Sequence, residues 1–200
     1  MNFLRTPLDG VYVVEPARIE DERGFFARSW CKREFAEHGL EAGLAQCSIS
    51  FNRRAGTLRG LHFQAEPFAE TKLVRCTRGA IWDVVVDLRW SSPTYGHWTA
   101  AELSADNRRM TYIPPGFAHG FQTLADDSEV FYQISEFHEP EASRGIRWDD
   151  GLLAIDWPTP PGGGDRIISE KDRALPGFAE GQTPRAVLHP TRRSKEPVTG

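Results

Sequence analysis

The run Ile81-Trp82-Asp83-Val84-Val85-Val86-Asp87-Leu88 constrains the fold of this chain more than any other stretch. In extended backbone, successive side chains point to opposite faces. Trp82, Val84, Val86 and Leu88 therefore share one face, and Asp83, Val85 and Asp87 the other. Residues 10–15, 57–63, 73–77, 98–103, 110–113 and 129–135 read as further short strands, separated by glycine and proline turns. Residues 31–38 alone read as helix, with Phe35 among charges and Gly39 as its stop. An all-β chain with few short helices is expected to form a sandwich, a jelly roll or a closed barrel. Small barrels of this kind enclose a pocket at one mouth, where inward-facing polar side chains can meet a ligand.

Composition narrows the setting. Two hundred residues suit one domain with a single core. A net charge of −4 offers no basic face for nucleic acid, and Arg53-Arg54 and Arg192-Arg193 are too short to make one. No run approaches the roughly 18 apolar residues of a membrane span, and MNFLRTPLDGVYVVEP lacks the apolar centre of a secretory signal. Cys31, Cys47 and Cys76 are odd in number and widely spaced, which argues against a disulfide framework or a zinc site and for a reducing cytoplasm. From residue 174 onward Pro176, Pro184, Pro190 and Pro197 stand among charges and glycines. The expectation is a domain over 1–173 and a loosely ordered tail over 174–200.

Four segments carry candidate chemistry. In Leu58-Arg59-Gly60-Leu61-His62-Phe63-Gln64, strict alternation would put Arg59 and His62 on opposite faces. A bulge at Gly60 would bring them together, and Lys72 follows ten residues after His62. Ile113-Pro114-Pro115-Gly116-Phe117-Ala118-His119 has the P-x-G-x-x-H spacing of half a cupin pattern, in which a turn delivers a histidine into a barrel mouth. Metal-binding cupins also need an H-x-H pair. Here Gln64 stands where the second histidine would be and Glu70 is displaced, so no metal is expected. Glu129-Val130-Phe131-Tyr132 offers a tyrosine able to donate a proton if its hydroxyl faces the pocket. Ile168-Ser169-Glu170-Lys171-Asp172, on composition alone, is a solvated helix start.

Taken in order, these segments resemble the dTDP-4-dehydrorhamnose 3,5-epimerase family. So do Asp21-Glu22-Arg23-Gly24-Phe25-Phe26, residues 72–89, Ser92-Pro93-Thr94, Gly145-Ile146-Arg147-Trp148 and Ile155-Asp156-Trp157-Pro158, and the likeness covers roughly 3–178. The resemblance implies a cupin-type jelly-roll barrel, a homodimer, a nucleotide-diphosphate sugar substrate and no cofactor. It gives His62 the role of catalytic base, Asp172 that of its carboxylate partner, and Tyr132 that of proton donor. Lys72 would face the ketone of a 4-keto sugar, and Arg23, Arg59, His119 and Lys171 would contact substrate. The residue types suit proton removal beside a ketone, because histidine titrates near working pH and a cation stabilises the enolate.

The departures from the family fall together. Arg28 replaces a glutamate, Gln46-Cys47-Ser48 replaces Q-D-N, His138 aligns with the aromatic that stacks on thymine, and Ser143 aligns with a glutamate. All lie among residues that would bind the nucleotide, so a base other than thymine is expected, such as cytosine or guanine. Rival readings are inversion at C3 or C5 alone, a metal-dependent cupin oxygenase, and a sugar-binding cupin without catalysis.

Overall fold

The computed structural model describes residues 1–181; the remainder of the expected tail, 182–200, lies outside the described residues. The chain runs β1 (Asn2–Arg5), β2 (Tyr12–Glu15), β3 (Arg18–Asp21), β4 (Gly24–Ala27), α1 (Lys32–Glu37), β5 (Gln46–Asn52), β6 (Leu58–Gln64) and β7 (Lys72–Arg78). It continues with β8 (Ala80–Asp87), β9 (Trp98–Ser104), β10 (Met110–Ile113), β11 (Phe117–Thr123), β12 (Ser128–Ile134), β13 (Ser143–Gly145), α2 (Glu170–Arg173) and α3 (Phe178–Gly181). A six-stranded sheet, β1-β2-β10-β7-β12-β5, and a five-stranded sheet, β13-β6-β11-β8-β9, form the walls of the barrel; β3 and β4 make a separate hairpin.

The apolar residues sort into three layers. Val74, Cys76 and Val130 from one sheet meet Ile81, Val85, Phe117 and Phe121 from the other in the space between the walls. Val84, Val86, Leu58 and Ala118 face outward, where Ile146, Leu153 and Trp157 from the segment after β13 cover them. On the outside of the larger sheet, Val14, Leu73, Met110 and Tyr112 are covered by Phe35 of α1. Phe35 is fully buried, and Gly39 ends the helix at φ +70°, a left-handed conformation that glycine adopts without strain.

The alternation of β8 holds, with both faces covered. Asp83 and Asp87 thus point inward and are 1 % and 0 % exposed. Asp87 accepts bonds from Arg89 Nη2 (2.7 Å), Ser92 Oγ (2.6 Å) and Thr94 Oγ1 (2.7 Å). Burial pushes its carboxyl upward, but these bonds win and hold its pKa at about 2.

The packed domain runs past the boundary expected at residue 174. Arg147 N donates to Pro176 O at 2.9 Å, and the Phe178 ring lies 5.2 Å from that of Tyr95. Apolar residues are few here, but the two large ones find prepared seats. Leu175 fills the space beside Gly145, and Phe178 that beside Gly96, where a Cβ would crowd them. Composition averages over such placement and does not register it.

Candidate active site

The site begins with the bulge. His62 pairs with His119 across β6 and β11, but Arg59 pairs with Phe121, so three steps on β6 match two on β11. Arg59 and His62 therefore share the inner face, as the sequence led one to expect. A Cβ on Gly60 would lie 2.7 Å from both Gly120 Cα and His119 O, and Gly60 has φ +109°, so no other residue fits.

His62 Nε2 lies 2.7 Å from Asp172 Oδ1, and Asp172 Oδ2 accepts from Gly60 N at 3.3 Å. Asp172 arrives on α2, whose first turn is capped by Ser169 Oγ accepting from Asp172 N at 3.1 Å. The solvated helix start therefore carries one buried carboxylate, 5 % exposed. Burial raises its pKa, but the bond and charge of His62, with Gly60 N and Ser169 added, bring it below the ordinary carboxylate value. Held ionised, Asp172 accepts the Nε2–H and leaves the lone pair on Nδ1. The His62 side chain is 43 % exposed, so a ligand can reach it.

A second histidine–carboxylate pair lies deeper. His119 Nε2 sits 2.6 Å from Asp83 Oδ1, with the side chains 5 % and 0 % exposed. Sequence reading gave Asp83 no role beyond its face of the strand. Its other oxygen, Oδ2, is buried without a hydrogen-bond partner among the described residues. The His119 ring meets Tyr132 edge-on at 6.0 Å. Burial and then the negative charge of Asp83 push the Tyr132 hydroxyl pKa far up, and Arg59 offsets this only in part. Tyr132 is thus protonated throughout the physiological range. Arg59 is aimed by Asn52, unremarked in the sequence, whose Oδ1 accepts from its Nε at 2.8 Å.

The larger sheet supplies the opposite wall. Tyr132 pairs with Val74 on one side and Ser48 on the other, and Ile134 pairs with Lys72, so Ser48, Lys72 and Tyr132 face inward together. Lys72 Nζ is held by Glu70 Oε1 at 2.7 Å. At the rim, Gln46 Oε1 accepts from His138 N at 3.0 Å, and Ser143 pairs with Gln64. Gln64, at the position of the missing second histidine, donates to Glu70 Oε2 at 2.9 Å, and Glu70 in turn holds Lys72. Among the described residues, no three His, Cys, Asp or Glu side chains group as a metal ion would require.

Three expected contacts stand apart. Arg23 lies in the β3–β4 turn, bonded to Asp21 through Nε (3.2 Å) and 84 % exposed. Arg28 pairs with Glu34 Oε1 at 2.9 Å on the outer surface. Lys171 is exposed on α2, one residue before Asp172. The single chain does not bring Arg23 or Arg28 to the pocket.

Compared with known proteins, residues 5–180 match the model of the family described as dTDP-4-dehydrorhamnose 3,5-epimerase. The chain belongs to this family. A relative of that name from Methanothermobacter thermautotrophicus is 50 % identical over 86 % of this chain and 91 % of its own. The crystal structure of a dTDP-4-dehydrorhamnose 3,5-epimerase from Bacillus anthracis with TDP and PPi bound is 41 % identical, covers 88 % of this chain and 99 % of its own, and has a TM-score of 0.83. ChmJ, a 3'-monoepimerase from Streptomyces bikiniensis in complex with dTDP-quinovose, is 29 % identical over 87 % and 86 %, with a TM-score of 0.79. The cupin-type jelly roll of the family is the fold found here. Among the described residues, no helix is long and apolar enough to cross a membrane.

Proposed function

We propose that this chain is an isomerase that inverts C3, C5 or both of a dTDP-linked 4-keto-6-deoxy sugar, as the names of its relatives describe. One observation carries the mechanism: His62 on the smaller sheet and a protonated Tyr132 on the larger sheet both border His119 between the two walls. A sugar ring between them meets His62 on one face and Tyr132 on the other. His62 Nδ1 takes the proton from the carbon beside the ketone, and the C–H electron pair moves into the carbonyl to give an enolate. Lys72 faces the oxygen on which charge grows. Tyr132 O–H returns a proton to the opposite face, and solvent reprotonates the tyrosinate and deprotonates His62. Arg59 contacts the substrate around this centre, and His119, bonded to Asp83, borders it.

Base selection belongs to the same proposal. The sequence departures favour a base other than thymine, but Arg28 is ion-paired within the chain to Glu34, which the Met1 ammonium shares. That pairing, with the relatives' names, supports dTDP. Calorimetric titration with dTDP, CDP, UDP and GDP is expected to give dTDP the tightest binding; CDP or GDP binding tighter would restore the other reading. The reaction itself is tested by NMR of dTDP-4-keto-6-deoxyglucose in deuterated water. Exchange at C3 and C5 is expected, exchange at one centre would restrict the enzyme to a monoepimerase, and none would overturn the assignment.

A homodimer is part of the proposal. The hairpin joins neither wall, and it exposes Ile19 and Phe26 (71 % each), while β5 exposes Ile49 (63 %). Sedimentation is expected to give twice the chain mass. The free thiols of Cys31, Cys47 and Cys76 support a reducing, cytoplasmic setting.

A further inference from the structure

Gln64 follows His62 by one full alternation on β6 and is 6 % exposed. Its amide is bonded on every side. The two hydrogens of Nε2 are shared among Glu70 Oε2 (2.9 Å), Phe68 O (3.0 Å) and Phe137 O (3.1 Å), and Oε1 accepts from Glu139 N (2.6 Å). Exchanging its oxygen and nitrogen would set an oxygen against three acceptors and an NH₂ against an N–H donor, so one orientation alone is allowed. Glu70 uses its remaining oxygen on Lys72 Nζ at 2.7 Å, with both side chains about one-tenth exposed. An unbroken line of bonds thus runs from the loop 136–139 through Gln64 and Glu70 to the ammonium of Lys72. The same loop carries His138, whose N–H is anchored on Gln46.

We infer that Gln64 is a positioning residue, which sets the Glu70 carboxylate and through it the Lys72 ammonium, and ties both to the loop that meets the nucleotide. This rests on the reading above, in which Lys72 faces the ketone and His138 the nucleotide. Lysine needs such help because its ammonium ends a flexible four-carbon stem, and a charge-assisted bond to a fixed carboxylate removes that freedom. A carboxylate without a donor on its far oxygen would rotate, and Lys72 with it. Misplacement of a catalytic group by about 1 Å costs on the order of 10²-fold in rate.

The test compares two substitutions by deuterium exchange into the sugar and by calorimetric binding of dTDP. Gln64→Met removes all four bonds at nearly constant volume. It is expected to lower the exchange rate by about 10²-fold and, by freeing the loop, dTDP affinity by about tenfold. Glu70→Gln keeps an acceptor for Gln64 but removes the charge that holds Lys72, so exchange should fall while dTDP affinity stays unchanged. A folded Gln64→Met protein with wild-type exchange and affinity would overturn the inference, as would losses that merely track the unfolded fraction. Should Gln64→Met fail to fold, Gln64→Glu carries the test, because its carboxyl donates to Glu70 only when protonated. The ratio of wild-type to variant exchange should then shrink as pH falls from 8 to 6, and a constant ratio would overturn the inference. Absence of exchange in the wild type would overturn the catalytic reading as well, whereas wild-type exchange with a silent Gln64→Met overturns this inference alone.

Discussion

The pocket holds two histidine–carboxylate pairs of nearly identical geometry, 2.7 Å for His62–Asp172 and 2.6 Å for His119–Asp83. Their surroundings differ. His62 is 43 % exposed and its carboxylate comes from a helix outside the barrel, whereas His119 and Asp83 are buried on neighbouring strands of one sheet. A base must give up its proton to solvent after each turnover, which the outer pair can do. The inner pair is fixed against the ring of Tyr132 and has no such outlet. Burial, and not bond length, therefore separates the pair that could exchange protons with solvent in the proposed reaction from the pair that would only shape the field around Tyr132.

Substitutions can break this contrast. His62→Ala is expected to have the largest effect, lowering deuterium exchange by about 10³-fold with little change in melting temperature; exchange near wild type would remove His62 from its role. Tyr132→Phe should come next, slowing completed inversion by about 10²-fold while sparing wash-in of deuterium at the carbon from which His62 takes its proton. Equal loss of both would make Tyr132 structural. Asp83→Asn should lower stability by about 1–3 kcal/mol and exchange by less than tenfold; a rate loss as large as that of His62→Ala would erase the distinction between the pairs.

The smallest effect on rate is expected for Asp87→Asn, because Asp87 lies on the same strand face as Asp83 but is bonded to Arg89, Ser92 and Thr94. Its folded pKa, about 2, lies below the ordinary 3.8. The stability it contributes is therefore full above pH 4 and lost as pH falls toward 2, about 2 kcal/mol in all. Acid unfolding of the variant should lack that part of the slope, with exchange at pH 7 unchanged.

Much of the wall was legible in the chain. Period-two alternation placed Asp83 and Val85 opposite Val84 and Val86, and Gly60 between Arg59 and His62 signalled the bulge. Strand β11 was not legible, because Phe117-Ala118-His119-Gly120-Phe121 is buried on both faces and shows no polar alternation. The roles of Asp172 and Tyr132 rested on family likeness, since nothing local marks a partner 110 residues from His62. Asp83, Asn52 and the Gln64–Glu70 bond were missed because each depends on a neighbour brought close by register. Arg23 and Arg28 illustrate the reverse case, in which the motif is present but one chain's geometry sends it outward.

Asp172 has one more consequence, concerning time. Every strand of both walls lies before residue 146, yet the partner of the base stands at 172 on a helix that docks from outside. During synthesis, therefore, the residues of both walls are made before the carboxylate that pairs with His62. The segment past 165 seats against Thr57 and Leu58 and brings its carboxylate to His62. The walls come first along this chain, and the partner of His62 comes after them.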